Sequence, residues 1–172
     1  MLQIGAAKTR GLGTVHLDFF PEPTSPLVPL EERFDELQQV WSQVSEHDPD
    51  QKIFTLTLNS DAIVLDELWR YCSVLDECLL AREVDAALSC CLKRWFTSTR
   101  IVSGFNSAHR LPKEDELAIT KGAAFLYTTT VCRSTLLSWL EDIETHGIGE
   151  RRSEGFGQVI ACHPFHWEVY TS

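Results

Sequence analysis

A glycine-rich stretch from Gly147 to Gly157 constrains the fold of this chain more than any other part of its sequence. Four glycines and the adjacent Arg151 and Arg152 fall within these eleven residues, and the apolar run Val159-Ile160-Ala161 follows shortly after them. Glycine is used where the backbone takes positive φ or approaches another group closely. Paired arginines among such glycines favour a polyanion, such as a phosphate backbone, as that other group.

The start of the chain repeats this pattern. The stretch from Gly5 to Val15 aligns with that from Gly149 to Val159, and each reads glycine, a basic residue, Gly-apolar-Gly and then an apolar run. A nucleotide-binding P-loop needs a lysine directly after its last glycine and a helix next, whereas both of these loops lead into predicted strands. The context therefore disfavours a mononucleotide site. A single copy is equally consistent with a flexible turn between elements, and the presence of two matching copies favours a function such as clamping a phosphate backbone.

Composition sets the broad class. The chain has 172 residues, of which 44% are hydrophobic and 23% charged, as in an ordinary globular protein with a sizeable core. It has neither an apolar run long enough for a membrane span nor a signal-peptide pattern, so we expect a cytoplasmic protein with no membrane contact. Its six cysteines, none in a Cys-x-x-Cys motif, are expected to be reduced thiols.

No cofactor or metal site is predicted. The pattern formed by Cys162, His163 and His166 lacks the second cysteine pair of a zinc site, so core or surface roles are favoured for these residues. The tryptophans are expected in the core and at interfaces rather than around a ligand. They are Trp41, Trp69, Trp95, Trp139 and Trp167.

The net charge of −10 disfavours nucleic acid as a partner if it is spread over the whole surface. It is instead concentrated between Glu31 and Asp85, which hold 14 acidic and 4 basic residues, while the remainder of the chain holds 11 of each. We expect this acidic region to face solvent or a basic protein, because like charge would repel phosphate.

Three parts are predicted along the chain: residues 1–20, residues 21–52 and residues 53–172. The first contains the early glycine-rich loop and a strand over 15–19. The second begins with four prolines between residues 21 and 29, which indicate a linker. It continues as an amphipathic acidic helix that starts at Leu30 and ends by the turn that begins at Glu46.

The third part is predicted to contain four strands, with helical stretches between the first and second strands and between the third and fourth. The strands are placed at 53–58, 100–103, 122–130 and 158–162, with a polar loop at 104–116. Helical spacing is read over 68–79 and, more firmly, over 84–95, and a last helix is capped by Ser134 and ended by Gly147. The order β-α-β-β-α-β predicts an α+β, ferredoxin-like fold, which is also the arrangement of the RRM.

Several of these stretches together resemble the RAMP superfamily, the repeat-associated proteins of CRISPR effector complexes. The resemblance covers residues 2 to about 20 and 53 to 168, and it is closest to the large five-like RAMP subunit of subtype III-D. It is carried by Gly147-Ile-Gly-Glu-Arg-Arg-Ser-Glu-Gly-Phe-Gly-Gln-Val159, Phe54-Thr-Leu-Thr-Leu-Asn-Ser-Asp-Ala-Ile63, Val102-Ser-Gly-Phe-Asn106, Leu111-Pro-Lys113 and Lys121-Gly-Ala123.

The resemblance implies an RNA-binding structural subunit of a type III, RNA-guided antiviral ribonucleoprotein, with the glycine-rich loops lying along the guide RNA. Phe156 could stack on a base, but packing is the favoured interpretation because its counterpart in the first loop is the aliphatic Leu12. The candidate RNA contacts are Lys8, Arg10, Gly11, Gly13, Arg100, Asn106, Arg110, Lys121, Gly147, Gly149, Arg151, Arg152, Gly155, Phe156 and Gly157.

The resemblance also implies protein partners, namely other RAMP subunits and the large polymerase-like subunit, and target RNA is a further candidate ligand. Such subunits carry two ferredoxin-like domains, so residues 1–20 are interpreted as the last loop and strand of a preceding RAMP domain that a companion chain supplies. Residues 15–19 are then expected to pair with the sheet of that companion.

Two alternatives stay open at this point. One is a RAMP-type endoribonuclease acting on guide precursor or target RNA, for which Asp61, Asp66 and His109 are the weak catalytic candidates. The other is a protein-only scaffold subunit that touches no RNA. The noncatalytic RNA-binding subunit is the favoured prediction, because the five-like subunits that the chain resembles are usually noncatalytic.

Overall fold

The fold was analysed in a computed structural model, which describes residues 2–3, 14–15, 28–44, 50–84, 89–106 and 111–167. Ten strands and three α-helices lie within these ranges. The strands are β1 (Leu2–Gln3), β2 (Thr14–Val15), β3 (Lys52–Leu58), β4 (Cys90–Phe96), β5 (Thr99–Val102), β6 (Phe105–Asn106), β7 (Leu111–Pro112), β8 (Glu116–Ile119), β9 (Ala124–Thr129) and β10 (Val159–Ala161). The helices are α1 (Leu30–Val44), α2 (Glu77–Glu83) and α3 (Arg133–His146).

A four-stranded antiparallel sheet forms the centre of the described structure. Its strand order is β10-β3-β9-β4, so β3 and β9 are the inner strands. Helix α2 lies between β3 and β4 in the chain, and α3 lies between β9 and β10. The mixture of helices with antiparallel sheets agrees with the predicted α+β class.

Strand β3 is more deeply buried than its alternating sequence predicts. All four residues from Ile53 to Leu56 are buried. On one face Phe54 stacks on Tyr127 of β9 with ring centroids 4.9 Å apart. Beyond the end of β10, the side-chain amide of Gln38 on α1 replaces a neighbouring strand, because it donates to the Ile53 carbonyl at 2.7 Å and accepts from its N–H at 3.1 Å.

Helix α1 begins at Leu30 as predicted, ends at Val44 before the predicted turn at Glu46, and is joined to the sheet and to α3 by one buried cation. Arg33 is 4% exposed and forms an ion pair with Glu144 of α3 at 2.9 Å. It also donates to the Val28 carbonyl at 2.8 Å and to the Ala161 carbonyl. Glu144 in turn accepts from the Ala161 N–H at 2.7 Å, so one charged pair connects α1, α3 and β10.

The helix predicted over 84–95 is wrong, because residues 90–96 form strand β4 against β9. The helical spacing has a physical origin in a β-bulge between Leu92 and Arg94. Across the ladder Leu92 lies opposite Tyr127, and Trp95 lies opposite Phe125. Tyr127 and Phe125 share one face of β9. The extra residue at the bulge puts two apolar side chains three positions apart on the same face, and that interval imitates a helix.

The helix predicted over 68–79 is also wrong in most of its length. The α2 helix begins only at Glu77, after the cap Asp76 whose carboxylate accepts from the Leu79 N–H at 2.8 Å. The preceding residues form a hydrogen-bonded loop that exposes Leu68 and Trp69 instead of burying them.

The strand predicted at 100–103 exists as β5, but it pairs with β8 outside the central sheet. The predicted polar loop over 104–116 contains the short pair β6 and β7. Strands β4, β5 and β6 thus pair in succession with β9, β8 and β7. We call these residues, 90–106 and 111–129, the ribbon.

Helix α3 ends at Gly147 as predicted, with a φ of 70° at that glycine, but its N-cap is Cys132 and not Ser134. The hydroxyls of Ser134 and Thr135 contact the Cys132 sulfur and lower the pKa of this exposed thiol to about 7. Burial raises the pKa of Cys162 to about 12. All six cysteines are free thiols, as predicted.

Near the start of the chain, β2 pairs antiparallel with β1, so the described part of the predicted strand over 15–19 has its partner within this chain. Residues 16–20 lie outside the described ranges. Among the helices described, none combines the length and the apolar character that a membrane crossing requires.

The Arg33 pair predicts a large stability effect. Replacing this arginine, Arg33→Ala, should lower the free energy of unfolding by about 3 kcal/mol, because it leaves Glu144 and two backbone carbonyls without their donor. The matched control is Arg133→Ala, which removes an exposed pair with Asp35 that also joins α3 to α1. The control should cost less than about 1 kcal/mol. Urea denaturation measures both, and equal losses would contradict the structural role of Arg33.

Candidate nucleic-acid interface

The glycines of the 147–157 loop are required by close approaches inside the protein. A Cβ on Gly157, whose φ is 72°, would lie 1.8 Å from the carbonyl oxygen of Ile148. One on Gly149 would lie 2.2 Å from that of Ile63. By contrast, a Cβ on Gly155 would meet nothing within 4 Å. Most of the glycine content thus serves the folding of the loop.

The loop is bonded by its backbone to the segment that follows β3. The N–H of Gly157 donates to the Asp61 carbonyl at 2.7 Å, and that of Glu150 donates to the Ile63 carbonyl at 2.8 Å. Across the loop itself, the Ile148 N–H donates to the Gly157 carbonyl at 2.9 Å. The loop therefore has a defined conformation in the absence of any ligand.

Arg151 is held by two carboxylates and one aromatic ring. It takes a left-handed backbone conformation with a φ of 55°. Its guanidinium donates to both oxygens of Glu154, at 3.1 and 2.6 Å, and to Glu116 of β8. Its Cζ lies 4.8 Å from the centroid of the Phe156 ring. The hydrogen bonds that Arg151 donates to Glu154, and then to Glu116, raise the pKa of its guanidinium, and these two carboxylates compensate its charge.

Arg152 joins the loop to α2. Its Nε donates to the Gly149 carbonyl at 2.8 Å, and its Nη2 forms an ion pair with Glu83. The Glu83 side chain is 6% exposed and also accepts from the Gly149 N–H at 3.2 Å. Both arginines that the sequence singles out are therefore paired with acids of this same chain.

Asp61 brings several predicted site residues together. Its Oδ1 accepts from the Lys121 N–H at 2.8 Å, and its Oδ2 forms an ion pair with Arg100 on β5. Its carbonyl receives the Gly157 N–H described above. Asp61, Arg100, Lys121 and Gly157 thus meet where the ribbon, the glycine-rich loop and the end of β3 adjoin.

The second acidic candidate, Asp66, organises the loop that it begins. Its Oδ1 accepts from the N–H groups of Leu68 and Arg70 at 2.8 and 2.9 Å, and its Oδ2 accepts from the Arg70 Nε at 2.7 Å. These hydrogen bonds, first of all that from the Arg70 backbone, lower the pKa of the Asp66 carboxyl. Both oxygens of each acidic candidate are therefore engaged within the protein.

Uncompensated positive charge lies mainly on the ribbon. Within the described ranges, the lysines and arginines that form no ion pair with a carboxylate are Lys52, Lys93, Arg94 and Lys121. The last three belong to the ribbon. Next to Lys93 and Arg94 on β4, Trp95 is 50% and Phe96 71% exposed. Cations beside exposed aromatic rings are suited to contact phosphates and bases at once.

The residues from Lys93 to Phe96 escaped sequence reasoning because they were assigned to a helix with a buried Trp95. A signal was present in the sequence, because two basic and two aromatic residues follow one another and no acid occurs between Lys93 and Arg100.

The remaining candidates are placed less fully. Lys8, Arg10, Gly11, Gly13, His109 and Arg110 lie outside the described residues, and Asn106 lies in β6 at the end of the ribbon. His166 contacts the Thr57 hydroxyl at 2.7 Å, and burial lowers the pKa of its imidazole. In the described part of the chain, no cluster of His, Cys, Asp and Glu is arranged to hold a metal ion.

Comparison with known proteins gives one family. The sequence model of the family described as CRISPR-associated protein (Cas_Cmr3) matches residues 22–164. This range includes the central sheet, the ribbon and the second glycine-rich loop. No curated protein sequence matches the chain.

The close approaches in the loop predict unequal effects of two glycine substitutions. Gly157→Ala should destabilise the protein by about 2 kcal/mol or more, because it adds both a left-handed alanine and a backbone collision. Gly155→Ala, the matched control at a φ of 90° with open space around it, should cost only about 1–2 kcal/mol. Thermal unfolding of the two variants compares them, and a Gly155→Ala loss as large as that of Gly157→Ala would contradict the packing described here.

Proposed function

The chain belongs to the Cas_Cmr3 family of CRISPR-associated proteins, which indicates a subunit of a type III CRISPR complex, and on this premise we propose that it binds the guide RNA of that complex as a noncatalytic structural subunit. The observation that carries the proposal is what we call the ribbon patch. Lys93, Arg94, Trp95 and Phe96 follow one another along the edge strand β4, with the two rings on opposite faces of that strand, and Lys121 lines the same cleft as Phe96. Its cations have no acidic partner among the described residues, so phosphates can neutralise them. Its two exposed rings are suited to stack on unpaired bases.

The glycine-rich loop has a second role in the proposal, along the RNA backbone. The N–H groups of Arg151, Arg152, Ser153 and Phe156 form no hydrogen bond within the described residues, and Arg152 retains 39% side-chain exposure. Successive N–H groups in a turn can bind phosphate oxygens without a free charge. In the proposal, the glycine-rich loop therefore binds RNA phosphates through its backbone N–H groups, while the ribbon supplies the positive charge. By the sequence repeat, Lys8, Arg10, Gly11 and Gly13 have the same role.

Several finer assignments belong to the same proposal. We assign residues 53–172 to a ferredoxin-like RAMP domain, supported by the strand order β10-β3-β9-β4 with α2 and α3 as its crossovers. Residues 1–20 are then a separate glycine-rich segment with its strand, and residues 21–52 are a linker and helix. The residues quoted for the family resemblance support the five-like subunit of subtype III-D and contacts with other RAMP subunits and the large polymerase-like subunit. A cytoplasmic location is part of the same proposal.

The other two functions have less support. For an endoribonuclease, the carboxylate of Asp61 would have to give up its bonds to Lys121 and Arg100, and that of Asp66 its bond to Arg70. The third catalytic candidate, His109, lies outside the described residues. A protein-only scaffold, which touches no RNA, does not account for the unpaired cations and the exposed rings of the ribbon.

The ribbon patch predicts which variants weaken RNA binding. The double variant Lys93→Ala/Arg94→Ala should bind single-stranded guide RNA about tenfold more weakly, which corresponds to about 1.4 kcal/mol. The slope of log K against log salt should become shallower by roughly 1.4, because each phosphate contact on a single strand contributes about 0.7. Fluorescence anisotropy at a series of salt concentrations measures both quantities.

The matched control is Lys52→Ala, which removes the one described unpaired cation that is not on the ribbon. It should leave the affinity and the salt slope within error of the unmodified chain. Equal effects of the control and the double variant, or no effect of either, would count against the ribbon as the RNA-binding surface.

A further inference from the structure

Two large apolar side chains that are adjacent in the sequence are exposed on the surface, in a loop outside the ribbon. Leu68 is 71% and Trp69 79% exposed, and both belong to the loop from Asp66 to Arg70. Trp69 is the most exposed of the large hydrophobic residues in the described ranges. A contiguous apolar pair of this kind on a protein surface is typical of an interaction site.

The loop that carries the pair is rigidly hydrogen-bonded. A β-bridge between Leu65 and Tyr71 closes its base, and the Asp66 N–H donates to the Arg70 carbonyl at 2.9 Å. The Trp69 N–H donates to the Asp66 carbonyl at 3.0 Å. Together with the Asp66 carboxylate, which accepts from the Leu68 and Arg70 N–H groups, these bonds hold the tip in one conformation. The exposure of the two side chains is therefore a fixed feature of the fold.

The backbone of Trp69 is strained. Its φ is 59°, a left-handed conformation that is a genuine outlier for a bulky side chain. Glycine or asparagine would occupy this position more favourably, and a ring that is 79% exposed returns little packing energy to its own chain. Strain of this kind persists at sites where a particular presentation of the side chain is needed.

We propose that Leu68 and Trp69 form a docking knob that inserts into an apolar pocket on another protein subunit of the CRISPR complex. Tryptophan is enriched among the few residues that dominate binding energy at protein interfaces. The hydrogen-bonded loop lowers the entropic cost of binding, because the knob is ordered before it meets the partner. The proposal rests on the family membership and is independent of RNA binding by the ribbon.

The charges near the knob favour a protein partner over RNA. The cleft beside it is lined by Glu67, Glu83 and Glu150 as well as by Arg82 and Arg152. Both of these arginines form ion pairs with Glu83, whereas Glu67 and Glu150 have no basic partner among the described residues. Glu67 adjoins Leu68 in the knob loop, so its uncompensated charge repels phosphate from the knob itself, whereas Glu150 belongs to the glycine-rich loop, whose N–H groups are proposed to contact the RNA backbone. An aliphatic side chain such as that of Leu68 is also a poor platform for a base, but it packs well in an apolar pocket.

The test compares assembly with stability in the same variant. Trp69→Gly removes the ring and relieves the left-handed backbone, so the isolated chain should melt at the same temperature or a higher one. The chain should bind the remaining subunits of its complex, co-expressed and purified without it, at least tenfold more weakly in a surface-binding assay. Leu68→Ala should weaken assembly in the same direction without any change of backbone strain.

The matched control is Phe165→Ala, which removes a ring that is 68% exposed but lies outside the knob, and it should leave assembly unchanged. Guide-RNA affinity of the isolated chain, measured in parallel by anisotropy, should be the same for the Trp69→Gly variant and the unmodified chain. A loss of RNA affinity in place of assembly would assign the knob to RNA, and a lowered melting temperature would assign Trp69 to the chain's own packing. Unchanged assembly would also overturn the proposal.

Discussion

The arrangement of the described structure depends on one close backbone approach. The Gly157 N–H donates to the Asp61 carbonyl at 2.7 Å, and a Cβ on Gly157 would collide with the Ile148 carbonyl. This contact fixes the glycine-rich loop against the end of β3. The Asp61 side chain then extends to Arg100 and to the Lys121 backbone, so the base of the ribbon is fixed by the same residue. The central sheet, the glycine-rich loop and the outer part of the ribbon, from β5 to β8, are thereby connected through a short segment of chain.

The distribution of paired and unpaired charge reconciles an acidic protein with RNA as its proposed ligand. The net charge is −10, yet affinity for a polyanion depends on the local potential rather than on the total. Arg151 and Arg152 are the most conspicuous cations in the sequence, but Glu154, Glu116 and Glu83 compensate them. The described cations without such partners lie mostly on the ribbon, where few acids compete with phosphate. In the proposal the loop therefore contributes backbone N–H groups, and the ribbon contributes the charge.

Sequence reasoning recovered the elements whose signals are local. The apolar period of α1, the alternation in β3 and the terminal glycine of α3 each reflect interactions within one element. It failed at β4, where the bulge after Leu92 places apolar residues at a helix-like interval. The contacts of the site escaped it for another reason: Arg100 meets Asp61, and Arg152 meets Glu83, across long sequence separations that no spacing pattern encodes. The glycine motif was noticed correctly, but its chemical reason, close packing against Ile63 and Ile148, required the fold.

The central claim is that guide RNA contacts the ribbon, and photo-crosslinking tests it most directly. The assembled complex would be loaded with guide RNA that contains 4-thiouridine, irradiated, digested and analysed by mass spectrometry for peptides of this chain. The account predicts crosslinks on the peptide that contains Lys93 to Phe96, with further ones near Lys121 and Arg152. Crosslinks confined to other parts of the chain, or to other subunits alone, would contradict it.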